Sequence, residues 1–201
     1  MNTFHNYNER YFNYTKIINA IRHNIGGKKL FLCLDIEAFE YNQKKLTEFG
    51  WCIFKKDGTV IKRKHGIVRE NLRFHNGKHV PNNRDYYLFG DSDIQNLYDI
   101  KKELKNDIQR VDYLVGQGIG NDLRYLRSID INVSKFKRMK NGVVPEFGVI
   151  DTMDLYSGYF LTEGVSLEKS LIRLGIPYER LHNAGKYNIY IIIFFFIFFF
   201  I

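Results

Sequence analysis

Asp35 and Glu37 are two carboxylates set two residues apart at the end of a strongly apolar run, Leu30-Phe31-Leu32-Cys33-Leu34-Asp35-Ile36-Glu37. A short run of this kind, entered from Gly26-Gly27-Lys28-Lys29, reads as a buried strand. Residues two apart on a strand point to the same face. The two acids therefore converge at the strand's end, where they repel unless a cation, a proton or an arginine neutralises them. Hard divalent cations such as Mg2+ favour such oxygen ligands. Two solvated acids at a strand mouth are the competing reading.

A third acid follows another apolar run, Val111–Val115. In Gly116-Gln117-Gly118-Ile119-Gly120-Asn121-Asp122, three glycines permit a tight turn that brings Asp122 back towards Asp35. The stretch lacks the Gly-Lys-Ser/Thr ending of a P-loop and the spacing of a dinucleotide fingerprint. Alternatively, Asp122 is a first-turn acid favoured by the helix dipole. His182, in Leu181-His182-Asn183-Ala184-Gly185, falls in a loop or at a helix start, and a lone histidine there can equally be structural. If the acids hold two metal ions about 4 Å apart, both the attacking and the leaving oxygen at phosphorus are stabilised. A neutral imidazole can then deprotonate the attacking water.

The elements that must position these groups follow from pattern. Residues 8–24 carry apolar positions at helical spacing, so 1–27 reads as a lead-in helix. Leu46–Lys55 and Thr59–Lys64 flank Lys56-Asp57-Gly58, a hairpin signal. A polar excursion over 65–91 ends in Phe89-Gly90-Asp91. Asp91 or Ser92 then caps a helix over 93–109, striped by Ile94, Leu97, Ile100, Leu104 and Ile108. Asn121–Ser128 reads as a short helix. Val149-Ile150-Asp151-Thr152 ends a strand and opens a helix, and Ser166–Leu174 is a helix stopped by Gly175 and Pro177. The order implies a three-layer α/β domain, its first three strands an antiparallel meander and its later strands parallel. Sites in such sheets form at the carboxyl ends of strands.

At 201 residues, with 45% hydrophobic and 26% charged residues, the chain suits one globular domain with a real core. A net charge of +8 fits a polyanionic partner. Cys33 and Cys52 lie in strand-like runs and form no C-x-x-C pair, which favours buried thiols in a reducing, intracellular compartment. The first residues lack the apolar core of a secretory signal.

Asp35-x-Glu37, Gly116…Asp122 and His182 resemble, in order and spacing, the DEDDh 3′–5′ exonucleases of the ribonuclease H-like superfamily. Ile150-Asp151-Thr152 and the Ser166…Gly175-Ile176 helix are similar as well. Asn82-Asn83-Arg84-Asp85, Phe89-Gly90-Asp91-Ser92 and Leu181-His182-Asn183-Ala184-Gly185 look most like its fungal branch. That branch includes an Argonaute-interacting exonuclease and relatives linked to mRNA export. The resemblance covers residues 28–185 and implies a five-stranded mixed sheet and two Mg2+ or Mn2+ ions. It makes Asp35, Glu37 and Asp122 the metal ligands and His182 the general base. It implies release of nucleotides from single-stranded RNA or DNA 3′ ends, RNA before DNA, a protein partner in RNA silencing or export, and a cytoplasmic or nuclear location.

The match breaks at the last motif, His followed five residues later by Asp, where this chain has Tyr187. Tyrosine, with a pKa near 10, is a poor ligand, so the resemblance implies weak or absent activity. A catalytically inactive nucleic-acid-binding or protein-interaction module on the same fold is the alternative. The following run, Ile189–Ile201, is 13 residues long, against roughly 20 needed to span a bilayer. All of Lys186–Ile201 can be encoded with A and T alone, and Gly185-Lys186 can be written GGT AAA, which contains a splice-donor start. Residues 186–201 are therefore expected to be an aberrant apolar tail of translated intron, prone to β-aggregation.

Overall fold

The computed structural model describes residues 2–87, 90–179 and 181–200; the side chains of residues 2–8, Tyr187, Phe194 and Phe198–Phe200 lie outside that description, as do Phe89 of the Phe-Gly-Asp motif, Leu88 and Arg180. The lead-in helix is α1 (Asn2–Asn24), which buries Ile17, Ile18 and Ile21. The acid-bearing strand is β1 (Leu30–Phe39). It pairs antiparallel with β2 (Asn42–Lys55), which pairs antiparallel with β3 (Val60–Val68). The Asp-Gly turn closes the β2–β3 hairpin. Gly58 adopts φ +87°, the Lys55 N–H donates to the Thr59 carbonyl at 2.9 Å, and the Asp57 carboxylate accepts from the Thr59 N–H at 2.9 Å.

The sheet then departs from the sequence reading in two places. Asp93–Gln95 is a strand, β4, parallel to β3, so α2 (Leu97–Gln109) starts four residues later than expected. Its cap is Asn96, whose side chain accepts from the Asp99 N–H at 2.9 Å, and not Asp91 or Ser92. Ile94 accordingly lies outside the helix and is 48% exposed, while Ile100, Leu104 and Ile108 are buried as the stripe requires. β5 (Tyr113–Gly116) runs parallel to β1 and leads into α3 (Gly120–Ser128). The two-residue β6 (Lys137–Arg138) borders β7 (Gly148–Asp151), which runs parallel to β5. Among the described residues the mixed sheet therefore has seven strands, ordered β4-β3-β2-β1-β5-β7-β6, and not five. The expected five form its centre; β4 and β6 add short edges that are too brief to carry a period in sequence.

α4 (Thr152–Phe160) and α5 (Leu167–Arg173) follow, capped by Asp151 and Ser166. Alternation along β1 divides the core. Leu32, Leu34 and Ile36 face α2 and α3 with Trp51, Leu104, Leu114 and Leu126. Phe31 and Cys33 face the other layer with Cys52, Phe54, Ile21, Leu155 and Leu171. Cys33 and Cys52 are cross-strand neighbours, buried and free.

The apolar tail belongs to this second layer. It is helical, α6 (Ala184–Phe200), rather than β-structured. Tyr190, Ile191, Ile192 and Phe195 are buried in the core, Phe195 at 5.2 Å from the Phe31 ring and 5.5 Å from Phe54, edge-on to both. Gly50 is the seat of its first turn, since a Cβ there would stand 2.1 Å from the Ala184 carbonyl oxygen. No helix among the described residues is long and apolar enough to cross a membrane.

Candidate active site

Asp35 and Glu37 continue the face that Phe31 and Cys33 begin, so they sit where the second core layer ends. Register places Glu48 of β2 directly opposite Glu37, and sets Asp35, Gly50 and His65 in one row across β1, β2 and β3. Glu48 thus joins the three acids as a fourth, itself buried, and it is already engaged. Its Oε2 lies 3.1 Å from His65 Nε2 and accepts from the Ala184 N–H at 3.5 Å, while His65 Nδ1 is 2.7 Å from Ser92 Oγ. The first turn of α6 thereby rests on Glu48.

Asp122 reaches the same place from the other side. Gly118 turns at φ +62°, and its N–H donates to Asp151 Oδ1 at 2.8 Å. Asp151 also accepts from the Met153 N–H at 3.1 Å, so this strand-end acid fixes the glycine turn to α4. Gln117 links the turn to Thr152 and donates to the Val165 carbonyl at 2.8 Å. Asp122 Oδ1 then accepts from the N–H of Ile36, the residue between the two strand-end acids, at 2.8 Å. This is more than a helix-dipole role. Asp35, Glu37 and Asp122 line one cleft of about 200 Å³ with Gln117, Asn121 and Tyr125.

The electrostatics are those of acids lacking a counter-charge. Burial, then Glu37, Asp122 and Glu48, hold the Asp35 carboxyl well above the ordinary range. Burial, then Glu48 and Asp122, push Glu37 up to about 8. Burial raises Asp122 to about 7 against the opposing Ile36 N–H. Asp35 Oδ2 is buried and has no hydrogen-bond partner. A buried carboxyl oxygen left so, among acids that repel one another when ionised, calls for a proton or a bound cation. Among the described residues no three His, Cys, Asp or Glu groups yet stand as a ready ligand set; Asp122 instead spends one oxygen on Ile36.

His182 lies in the loop before α6, half-buried, with a left-handed φ of +66°. Burial lowers its imidazole below the usual range, with Glu168 of α5 opposing. It is not among the residues lining the cleft of the three acids. Its loop is firmly held. Asn183 caps α6 by accepting from the Lys186 N–H at 3.0 Å, and its amide donates to the carbonyls of Asn83 and Arg84 at 3.0 and 2.9 Å. Asn83 returns a bond to the Leu181 carbonyl. The two polar segments with fungal-branch likeness, about 100 residues apart, are therefore one interlocked unit. Tyr187, at the expected position of the fourth carboxylate, has its side chain outside the described set.

Sequence reasoning missed Glu48, His65 and Gln117, and did not assign Asp151 its part in fixing the turn. A single acid inside an apolar β2 was the available signal for Glu48.

Comparison with known proteins bears on the family and the fold. The chain is 32% identical over 165 residues to an uncharacterized nucleolar protein of Schizosaccharomyces pombe, covering 78% of this chain and 63% of that one. It is 29% identical over 201 residues to a Saccharomyces cerevisiae protein named "Good for full DBP5 activity protein 2", covering 83% of this chain and 35% of that one. An uncharacterized protein of the same yeast is 28% identical, with 80% and 39% covered. The chain thus spans about a third to two thirds of the length of these relatives. Among solved structures, a full-length 3′-exonuclease superposes with a TM-score of 0.54 at 14% identity, covering 87% of this chain and 62% of that one, which supports the ribonuclease H-like fold. The family described as DNA polymerase III subunit epsilon-like, C-terminal domain, matches residues 30–195, most of the chain, and this chain belongs to that DEDDh exonuclease-like family.

Proposed function

We infer that this domain hydrolyses the terminal phosphodiester at the 3′ end of single-stranded nucleic acid, RNA in preference to DNA, and that it does so weakly. The observation that carries the reading is the buried, unpartnered Oδ2 of Asp35 in a cleft shared with Glu37 and Asp122. These three would hold divalent cations, Mg2+ or Mn2+, which the family generally uses. When bound, such ions supply Lewis-acid stabilisation of charge at phosphorus. The chain's own groups do the rest. Burial keeps the His182 imidazole neutral at pH 7, as a proton acceptor for water must be. Asn183, Asn83 and Arg84 hold its loop in place, and the Glu48–Ala184 contact seats that loop's helix over the acids. Tyr187 in place of a fourth carboxylate is the reason to expect low activity.

The inactive-module reading rests on that same substitution. An intracellular, cytoplasmic or nuclear setting, and a partner in RNA silencing or mRNA export, are part of the proposal. The nucleolar relative and the relative named for DBP5 activity support them. Residues 186–201 are proposed to be a non-ancestral ending, which transcript sequencing tests.

The functional test is incubation of purified protein with 3′-labelled single-stranded RNA and DNA in Mn2+, beside calorimetric titration with Mn2+ alone. Slow, His182-dependent mononucleotide release and two bound ions are expected. Absence of both release and bound metal would favour the module, and robust release would overturn the impairment.

A further inference from the structure

Immediately beyond Glu37, β1 runs into a cluster that the acid cleft does not explain. Phe39, Tyr41 and Phe74 stand ring against ring, at 5.4 Å for Phe39–Tyr41 and 5.1 Å for Phe39–Phe74. His79 meets Tyr41 edge-on at 6.0 Å. Tyr41 nevertheless remains 59% exposed. Three cations surround the rings. Arg73 and Lys45 lie 5.0 and 5.8 Å from the Phe74 centroid, and Lys78 lies 6.0 Å from that of Tyr41.

The platform is built in advance. Asn76 donates to the Ala38 carbonyl at 3.0 Å and accepts from the Glu40 N–H at 2.8 Å. The Glu40 carboxylate accepts three successive backbone N–H groups, from Lys78, His79 and Val80, at 3.1, 2.7 and 3.1 Å. This clamps the 74–80 loop to the end of β1. Glu40 and Val80 also line the cleft of Asp35, Glu37 and Asp122, so platform and cleft are continuous.

We propose that Tyr41, supported by Phe39 and Phe74 and flanked by Lys45, Arg73 and Lys78, is a stacking platform that carries the bases and phosphates of a single strand leading into the acid cleft. Exposed aromatic faces stack on any base, and cations beside them meet the backbone; this combination binds single strands without reading sequence. A duplex keeps its base faces internal and cannot use the platform. The site rests on the nucleic-acid reading above but adds a contact outside the acids.

The test is fluorescence anisotropy in EDTA, where no cleavage occurs, with the full chain and a short fluorescein-labelled oligouridine, an oligodeoxythymidine of equal length, and a duplex. Tyr41→Ala is expected to weaken both single strands about 10-fold, in the range for loss of one base stack. Tyr41→Phe should restore most of the binding. Lys78→Gln should lower the salt slope by about 0.7, the amount for one phosphate contact to a single strand. Tyr98→Ala, an exposed tyrosine on α2, should change nothing. If the wild type binds single strands but Tyr41→Ala leaves affinity intact, the platform is overturned and the exonuclease reading stands. If the wild type binds no nucleic acid, both fall. Duplex affinity reduced by Tyr41→Ala as much as single-strand affinity would also overturn the platform.

Discussion

Phe195→Ala measures whether α6 belongs to the cooperative fold. Phe195 is fully buried, and its ring stands edge-on to Phe31 and Phe54 at 5.2 and 5.5 Å. Truncating a core phenylalanine costs about 3–5 kcal/mol through lost transfer energy and the cavity left behind. Each edge-to-face pair adds about 0.5–1.5 kcal/mol beyond area alone, and part of this already lies within that range. The expected loss is about 4 kcal/mol, a large share of the roughly 5–15 kcal/mol that stabilises a domain. For a chain of this length it lowers Tm by about 8–16 °C, at roughly 2–4 °C per kcal/mol. Urea denaturation followed by tryptophan fluorescence reads it, since Trp51 is buried in the opposite core layer and reports unfolding of the whole sheet. Ile193→Ala, at a position 39% exposed, serves as the control and should cost under about 1 kcal/mol. A Phe195→Ala midpoint equal to that of wild type would refute the reasoning. It would mean that the sheet folds without its apolar cover.

Other perturbations test other joints. In metal-free protein, Glu37 holds its proton up to about pH 8 when folded, against 4.5 when unfolded. Stability is therefore fully present below pH 4.5 and is lost as pH rises towards 8; full linkage over that span amounts to about 5 kcal/mol. Glu37→Gln should then gain about 2 kcal/mol over wild type at pH 8 relative to pH 5, the smaller figure reflecting residual solvent and a proton shared among neighbours. A pH-independent difference in urea melts would sink the argument. Gly50→Ala places a methyl 2.1 Å from the Ala184 carbonyl oxygen and should cost about 3 kcal/mol by forcing α6 off its seat; a neutral substitution would contradict that packing. Asn183→Ala removes the α6 cap and two bonds to the 83–84 backbone. A loss of about 2–3 kcal/mol is expected, and stability equal to that of wild type would refute the interlock.

The parts of this fold legible in sequence were those fixed by local chemistry. Alternation alone put Asp35 and Glu37 on one face, and Asp57-Gly58 set the hairpin. The glycines before Asp122 admitted a turn, though its anchor, the Gly118 N–H on Asp151, joins residues 33 apart. Register across a sheet was not legible. Glu48 faces Glu37 only because β1 and β2 pair through an irregular junction, with shifts between Glu37, Ala38 and Phe39 that no pattern announces. The short β4 and β6 are edge additions held by neighbours rather than by propensity. For the Ile/Phe run, composition favoured strand, yet β1 and β2 were already paired on both sides and offered only a face, against which a helix packs. Local preference lost to the space that remained.

The seating of α6 on Gly50 has a consequence in time. Every strand of the sheet, and α1, α4 and α5, precede α6 in the chain, so all are synthesised while the part of the face that Ala184 and Phe195 cover is still bare. The contacts that cover it join residues more than 130 positions apart, and closures of that span form late. During translation the nascent domain therefore lacks the part of its cover that lies over Phe31, Phe54 and Glu48. Glu48 gains its contact from the Ala184 N–H only when α6 arrives.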